Sequence, residues 1–283
     1  MKKINRIALF LTICAGMALP TITNADVVLE YTVKGINIPA GTSQNIAIKN
    51  DQIMVKSVGG DKNFDLLYRH AVENVLIVDH SKSTVMIVDE QQVDRLNQKM
   101  QNVQPLLQGI GEEIGKLSPE QRQQLQDLFG DNVSLDTLAK AAEPQAPTRL
   151  VPAGMKEVGK IHCRVMRVMQ GATPVAEVCL ADAATMKVSD NDAATIRALF
   201  GFYERLAPKG QALARQQGIT LPNITAREMS GIPVEFRDLS GQGSVTMTLR
   251  RVNTSPVSPE LMRVPSGYKT VPLGLFGSSC EAS

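Results

Sequence analysis

The sequence predicts an α+β fold built on an antiparallel sheet. Three observations carry this reading. Residues 27–88 hold a succession of short segments with an apolar residue at every second position. Residues 90–143 change to three- and four-residue apolar spacing, and alternation returns from about residue 157. Strands, helices, strands, helix, strands is the order of an α+β chain, not of the alternating βαβ units of a parallel sheet.

The N-terminus reads as an export signal. Lys2, Lys3 and Arg6 precede an apolar run over 7–19, Pro20 ends it, and Thr23-Asn24-Ala25 places small residues before a cleavage point. This three-part layout is that of a secretory signal, with cleavage expected between Ala25 and Asp26. The run is shorter than the roughly 20 apolar residues that span a bilayer, and no later stretch reaches that length. Cys14 follows the bulky Ile13, which disfavours lipid attachment, so Cys14 is expected to leave with the signal. Localisation to the periplasm follows as an expectation. Removing 25 of 283 residues leaves 258, enough for a substantial core. It also removes three positive charges, so the formal +2 of the whole chain becomes about −1. That balance supports no nucleic-acid partner, and the lack of tryptophan argues against stacking platforms.

Along the expected mature chain, Val27, Leu29, Tyr31 and Val33 alternate with more polar neighbours, the period of a half-buried strand. Comparable segments fall at about 44–48, 52–58, 64–68 and 74–79. Asp79-His80-Ser81-Lys82 is a turn cluster that joins 75–78 to 84–88 as a hairpin. His80 is expected to be solvated there. From residue 90 the pattern changes: Val93, Leu96, Met100, Val103 and Leu107 line one side of a Gln-rich amphipathic helix over 90–108. Ser118-Pro119-Glu120-Gln121 carries a capping-box start for a second helix, with Leu125, Leu128 and Phe129 on its apolar side. A short helical turn over 136–142 and a connector over 144–152 complete this segment. Strands then resume at about 157–169 and 174–181. Ser189 or Asp190 caps a helix over 192–207 that extends past Pro208 to about 217, and a last hairpin pairs 233–239 with 244–252. The expected organisation is a signal over 1–25, one α+β domain over 26–254 with a helical insertion at about 90–143, and an irregular tail over 255–283.

The sharpest local chemistry is a disulfide. Three cysteines remain after the signal, Cys163, Cys179 and Cys280, and in an oxidising compartment one pair is expected. Cys163 and Cys179 are equidistant from residue 171 in the turn 170–174, so a hairpin centred there sets them opposite each other. Directly opposed Cα atoms in an antiparallel pair come within about 4.5 Å, inside disulfide reach. Cys280 reads as an exposed tail residue.

Other chemistry is not supported. His70, His80 and His162 have no metal-ligand spacing, and His162 and Cys163, as neighbours in a strand, point to opposite faces. Residues 109–115 hold three glycines, but no strand precedes them and Glu112 and Glu113 would repel a phosphate. Met166, Met169 and Met247 read as soft packing residues. Asp89, Glu90 and Asp94 suit the positive end of a helix dipole. No metal, no cofactor and no catalytic residue is expected, and the chain reads as non-enzymatic.

Several segments together carry a resemblance. They are the exported N-terminus, the hairpin 76–79 and 84–89 leading into the Gln-rich helix, Gly159-Lys160-Ile161-His162-Cys163, Glu177-Val178-Cys179-Leu180-Ala181-Asp182, Gly231-Ile232-Pro233-Val234 and Val264-Pro265-Ser266-Gly267-Tyr268. Over most of the mature chain the sequence resembles a family of exported bacterial proteins of unknown function. That family is itself similar to the periplasmic lipoprotein carriers of the Lol pathway. The resemblance implies a curved antiparallel sheet, a half-open barrel, with helices on its concave face. In the Lol carriers that face holds acyl chains. Two function classes follow as expectations: an envelope binding or interaction protein whose partner is another envelope protein, or a carrier of a hydrophobic ligand such as lipid or lipoprotein acyl chains. The same aliphatic composition serves a ligand cavity or a closed core.

Overall fold

Twelve strands form one curved, open and almost wholly antiparallel sheet in a computed structural model that describes residues 26–35, 38–58, 62–101, 109, 113–114, 116–121, 148–216, 224–240 and 245–273. The first six strands are β1 (Val27–Lys34), β2 (Ser43–Lys49), β3 (Gln52–Lys56), β4 (Phe64–Arg69), β5 (Asn74–Asp79) and β6 (Thr84–Val88). Helix α1 (Glu90–Gln101) follows. Then come β7 (Thr148–Val158), β8 (Ile161–Gln170) and β9 (Thr173–Ala181), helix α2 (Asp190–Gln216), and β10 (Ile232–Asp238), β11 (Thr246–Asn253) and β12 (Lys269–Val271). The order across the sheet is β12-β6-β5-β4-β3-β2-β1-β11-β10-β9-β8-β7. Two meanders are thus joined at the β1–β11 seam, and only β12 runs parallel to its neighbour β6.

The predicted alternation sets the two faces. Val27 lies opposite Ile48 and Leu29 opposite Ile46; the same face continues through Ile53 and Val55 to Tyr68 and Val75. These residues form one cluster with Ile196 and Phe202 of α2, the ring centroids of Tyr68 and Phe202 lying 5.7 Å apart. Helices therefore pack on the concave face. The alternate residues Ala47, Met54, Leu67, Leu76 and Val85 turn to the opposite face and pack under Val257 and Met262. Register shifts at Glu30/Tyr31, Pro233/Glu235, Pro152/Met155 and Val168/Met169 supply β-bulges, which bend and twist a sheet.

Three expectations need correcting. The connector over 144–152 is in part strand: β7 begins at Thr148 and pairs with β8 through a tight turn at Gly159 and Lys160. Pro152 is tolerated because β7 is an edge strand and the register shifts beside it. The single strand expected over 157–169 is therefore two. The tail from Ser255 is not irregular throughout, since a 3-10 turn at Pro259–Met262 and strand β12 lie in it, with Val257 and Met262 buried. At α2, Ser189 is the cap: its Oγ accepts from the Asp192 N–H at 3.1 Å and donates to the Asp192 carboxylate at 2.7 Å. The helix continues through Pro208 to Gln216. The capping box at Ser118 and Gln121 is formed in both directions.

Candidate functional site

Among the described residues, the concave apolar face is covered by two helices that are held to it in different ways. α2 is anchored to the sheet. Phe202 packs at a tilt against Tyr68, the Thr195 hydroxyl lies 3.4 Å from the Asp51 carboxylate, and Ile196 is buried in the main cluster. Burial and the charge of Glu73 push the Tyr68 hydroxyl up to about 12. At the far side of the face, buried Tyr31 donates to the Pro233 carbonyl at 2.8 Å, which satisfies its only polar side-chain group. Burial pushes that hydroxyl well above the ordinary tyrosine range.

α1 is held differently. Val93 and Leu96 are buried, as the apolar spacing predicts. Its polar ties to α2 are ion pairs and one amide hydrogen bond. Arg205 bonds Glu90 through Nε at 2.7 Å and Glu73 through Nη2 at 2.6 Å. Lys209 reaches Glu90 at 3.2 Å and Asp94 at 2.8 Å, and the Asn97 amide donates to the Lys209 carbonyl. Hydrogen bonds from Arg205 and Lys209 hold Glu90 below the usual carboxylate range. All four ion pairs reach solvent, where such pairs contribute roughly 0–1 kcal/mol each. Asp89, Glu90 and Asp94 thus do more than complement a dipole. Asp89 caps α1 by accepting from the Gln92 N–H, while Glu90 and Asp94 join the helices. The sequence signal for this was present as opposite charges 115 and more positions apart, which spacing alone does not connect.

Cys163 and Cys179 are joined by a disulfide in the main buried cluster, with Cα atoms 5.4 Å apart. The register differs from the expected one. Cys179 lies opposite Val165, not Cys163, because the turn is centred between Gly171 and Ala172 and the shift at Val168/Met169 adds one further residue. The bridge is diagonal between residues on one face. The intervening Met166, Val168, Val178 and Leu180 turn the other way and are buried with Leu150 and Met229. Burial on both faces explains the nearly continuous apolar run of β9. Gly231 precedes β10 with φ +131°, and a Cβ there would meet the Ala181 carbonyl oxygen at 2.9 Å.

His80 is not a solvated turn residue. Its imidazole lies between the Asp65 carboxylate (2.7 Å) and the Tyr268 hydroxyl (2.8 Å). His70 sits 3.4 Å from the Tyr68 hydroxyl, and His162 is exposed opposite Glu157. Among the described residues no group of histidine, cysteine, aspartate and glutamate could hold a metal, and no helix is long and apolar enough to cross a membrane. Of the expected cleavage pair, Asp26 is buried and accepts from Lys49 Nζ at 2.5 Å and the Val257 N–H at 2.7 Å. Ala25, the rest of the expected signal, Cys280 and most of the glycine run 109–115 lie outside the described residues.

No protein-family model and no curated protein matches the chain. Among solved structures it is similar to an uncharacterised conserved protein from Thermus thermophilus, with 8% identity over 88% of this chain and 91% of that one, at a TM-score of 0.36. It is similar also to the lipoprotein LppX of Mycobacterium tuberculosis, with 10% identity over 83% and 90% and a TM-score of 0.26. LprF from Mycobacterium bovis gives 10% identity over 86% and 89% and a TM-score of 0.25.

Proposed function

We propose that this chain is an exported, non-enzymatic binding protein of the bacterial cell envelope, and that it takes an apolar chain between the concave sheet face and its helices. The observation that carries the reading is the unequal attachment of the two helices. α2 is packed into the apolar face through Ile196 and Phe202, whereas α1 buries Val93 and Leu96 and is otherwise joined to α2 by ion pairs that reach solvent and one amide hydrogen bond. Ion pairs in water are weak and exchange readily with solvent, so α1 is the element that can yield to a ligand. The signal over 1–25 and the Cys163–Cys179 bridge support work in an oxidising compartment, the periplasm.

Protein purified from envelopes without detergent and measured by native mass spectrometry should carry lipid-sized adducts that solvent extraction removes. Protein that is always empty, together with a stable protein crosslink in cells, would replace this reading with an envelope interaction role.

A further inference from the structure

We infer that the ligand is a single-chain amphiphile with an anionic head, and that Arg205 and Lys209 receive that head in place of Glu90 and Asp94. The inference rests on the reading that an apolar chain enters beneath α1. With α1 seated, two cations on α2 meet three carboxylates: Glu73 from the β4–β5 connection, and Glu90 and Asp94 from α1. When α1 lifts, both of its carboxylates leave together. Glu73 then remains on Arg205 Nη2, and Arg205 Nε and the Lys209 ammonium lose their acceptors.

The position of these cations suits a head at the rim of an apolar site. Arg205 lies one helical turn beyond Phe202, whose ring packs on Tyr68, and Lys209 lies one turn further along α2. Leu199 and Leu206, partly buried against the main cluster, continue the apolar side of the same helix. A chain lying against this side therefore ends beside the two cations. Arg205 already uses Nε and Nη2 for two different carboxylates, so its guanidinium is presented edge-on to acceptors. Nη2 stays with Glu73, so the donors that α1 vacates are Nε and the neighbouring Lys209 ammonium, which together hold the two oxygens of the Glu90 carboxylate and so suit a carboxylate or a phosphate monoester. The incoming anion replaces contacts that α1 gives up, which lowers the cost of moving the helix.

The test is isothermal titration of the full mature protein with laurate and dodecyl phosphate, below their micelle concentrations, and with dodecanol, below its solubility limit. Both acids should bind at least about tenfold more tightly than the alcohol, the scale of one charge-assisted hydrogen bond of about 1.5 kcal/mol. In R205Q/K209Q the preference for the acids over the alcohol should vanish, while the alcohol itself binds at least as tightly as to the parent, because the ion pairs that seat α1 are gone. In E90Q/D94N, which leaves the cations intact and frees them, the acids should bind several-fold more tightly than to the parent. Equal binding of acids and alcohol in the parent, or acid binding unchanged in both variants, overturns the inference and leaves the apolar-chain reading standing. Failure of all three probes to bind overturns that reading itself.

Discussion

The Asp65 carboxylate and the His80 imidazole meet at 2.7 Å on the face of the sheet opposite the helices. Lys56 donates to the same carboxylate oxygen and the Ser57 N–H to the other. Through its second ring nitrogen, His80 reaches Tyr268, so this pair fixes the C-terminal segment to the β5–β6 hairpin. His80→Ala should cost about 1–2 kcal/mol, the range for a lost partly buried hydrogen-bond partner. It should also speed hydrogen exchange of the Lys269 amide, which is bonded to the Ser83 carbonyl. Unchanged exchange at Lys269 would show that β12 holds without this link.

Asp65 also predicts an acid response. Burial works to raise its pKa, but hydrogen bonds from Lys56, Ser57 and His80 outweigh this and hold it below the usual range. The folded carboxyl therefore titrates lower than the unfolded one. Its contribution is complete above the unfolded value, about pH 4, and is lost as pH falls through the folded value. Denaturant titrations should show a smaller loss of stability between about pH 5 and pH 2 in Asp65→Asn than in the parent.

Asp192 predicts the opposite sign. Burial raises its pKa, and the charges of Asp26 and Asp51 add to that against the hydrogen bond from Ser189. The ionised form is penalised at neutral pH, and the penalty disappears as pH falls through the folded value to about 4. Asn can still accept from Ser189. Asp192→Asn should therefore raise the melting temperature by about 2–4 °C at pH 7, the size of a 1 kcal/mol gain in a domain this large, and the gain should vanish near pH 4. A lower melting temperature at pH 7 would show that the second carboxylate oxygen matters more than the charge.

The Cys163–Cys179 bridge closes a loop worth up to about 3 kcal/mol in the chain-entropy picture. Hairpin pairing already restricts that chain, so reduction should cost about 1–3 kcal/mol. Thermal melts with and without reductant measure it, and thiol alkylation of the unfolded, non-reduced protein should leave both residues unlabelled.

Gly231→Ala should destabilise strongly, by about 2 kcal/mol or more, because the added Cβ meets the Ala181 carbonyl at a backbone angle that side chains rarely adopt. Denaturant midpoints of the parent and the variant would give the value.

Most strands were legible because their buried side alternates strictly, as Val27, Leu29, Tyr31 and Val33 do. β7 was not. Pro152 and Gly154 are connector residues by composition, and only the free outer side of an edge strand makes them acceptable. β12 has three residues and no period to read. The cysteine pair could be read from spacing, but its diagonal register depends on a bulge that no local rule announces. The linkage between α1 and α2 was the least legible feature. Glu90 and Asp94 mark a helix start by themselves, and their partners Arg205 and Lys209 become visible only once the sheet brings the helices together.

The seam between β1 and β11 has a kinetic consequence. β1 follows directly on the expected cleavage point, yet it lies inside the sheet between β2 and β11. Its second neighbour comes from residues 246–253, near the other end of the chain. As the chain emerges, β1 to β6 can pair in sequence, but the outer side of β1 must wait for a strand that lies far downstream. Contacts so distant in sequence make folding slow. During that wait Val28 to Lys34 form an unpaired strand edge, and such an edge adds foreign strands readily. Delivery to a holding chaperone until β11 arrives would protect this stretch.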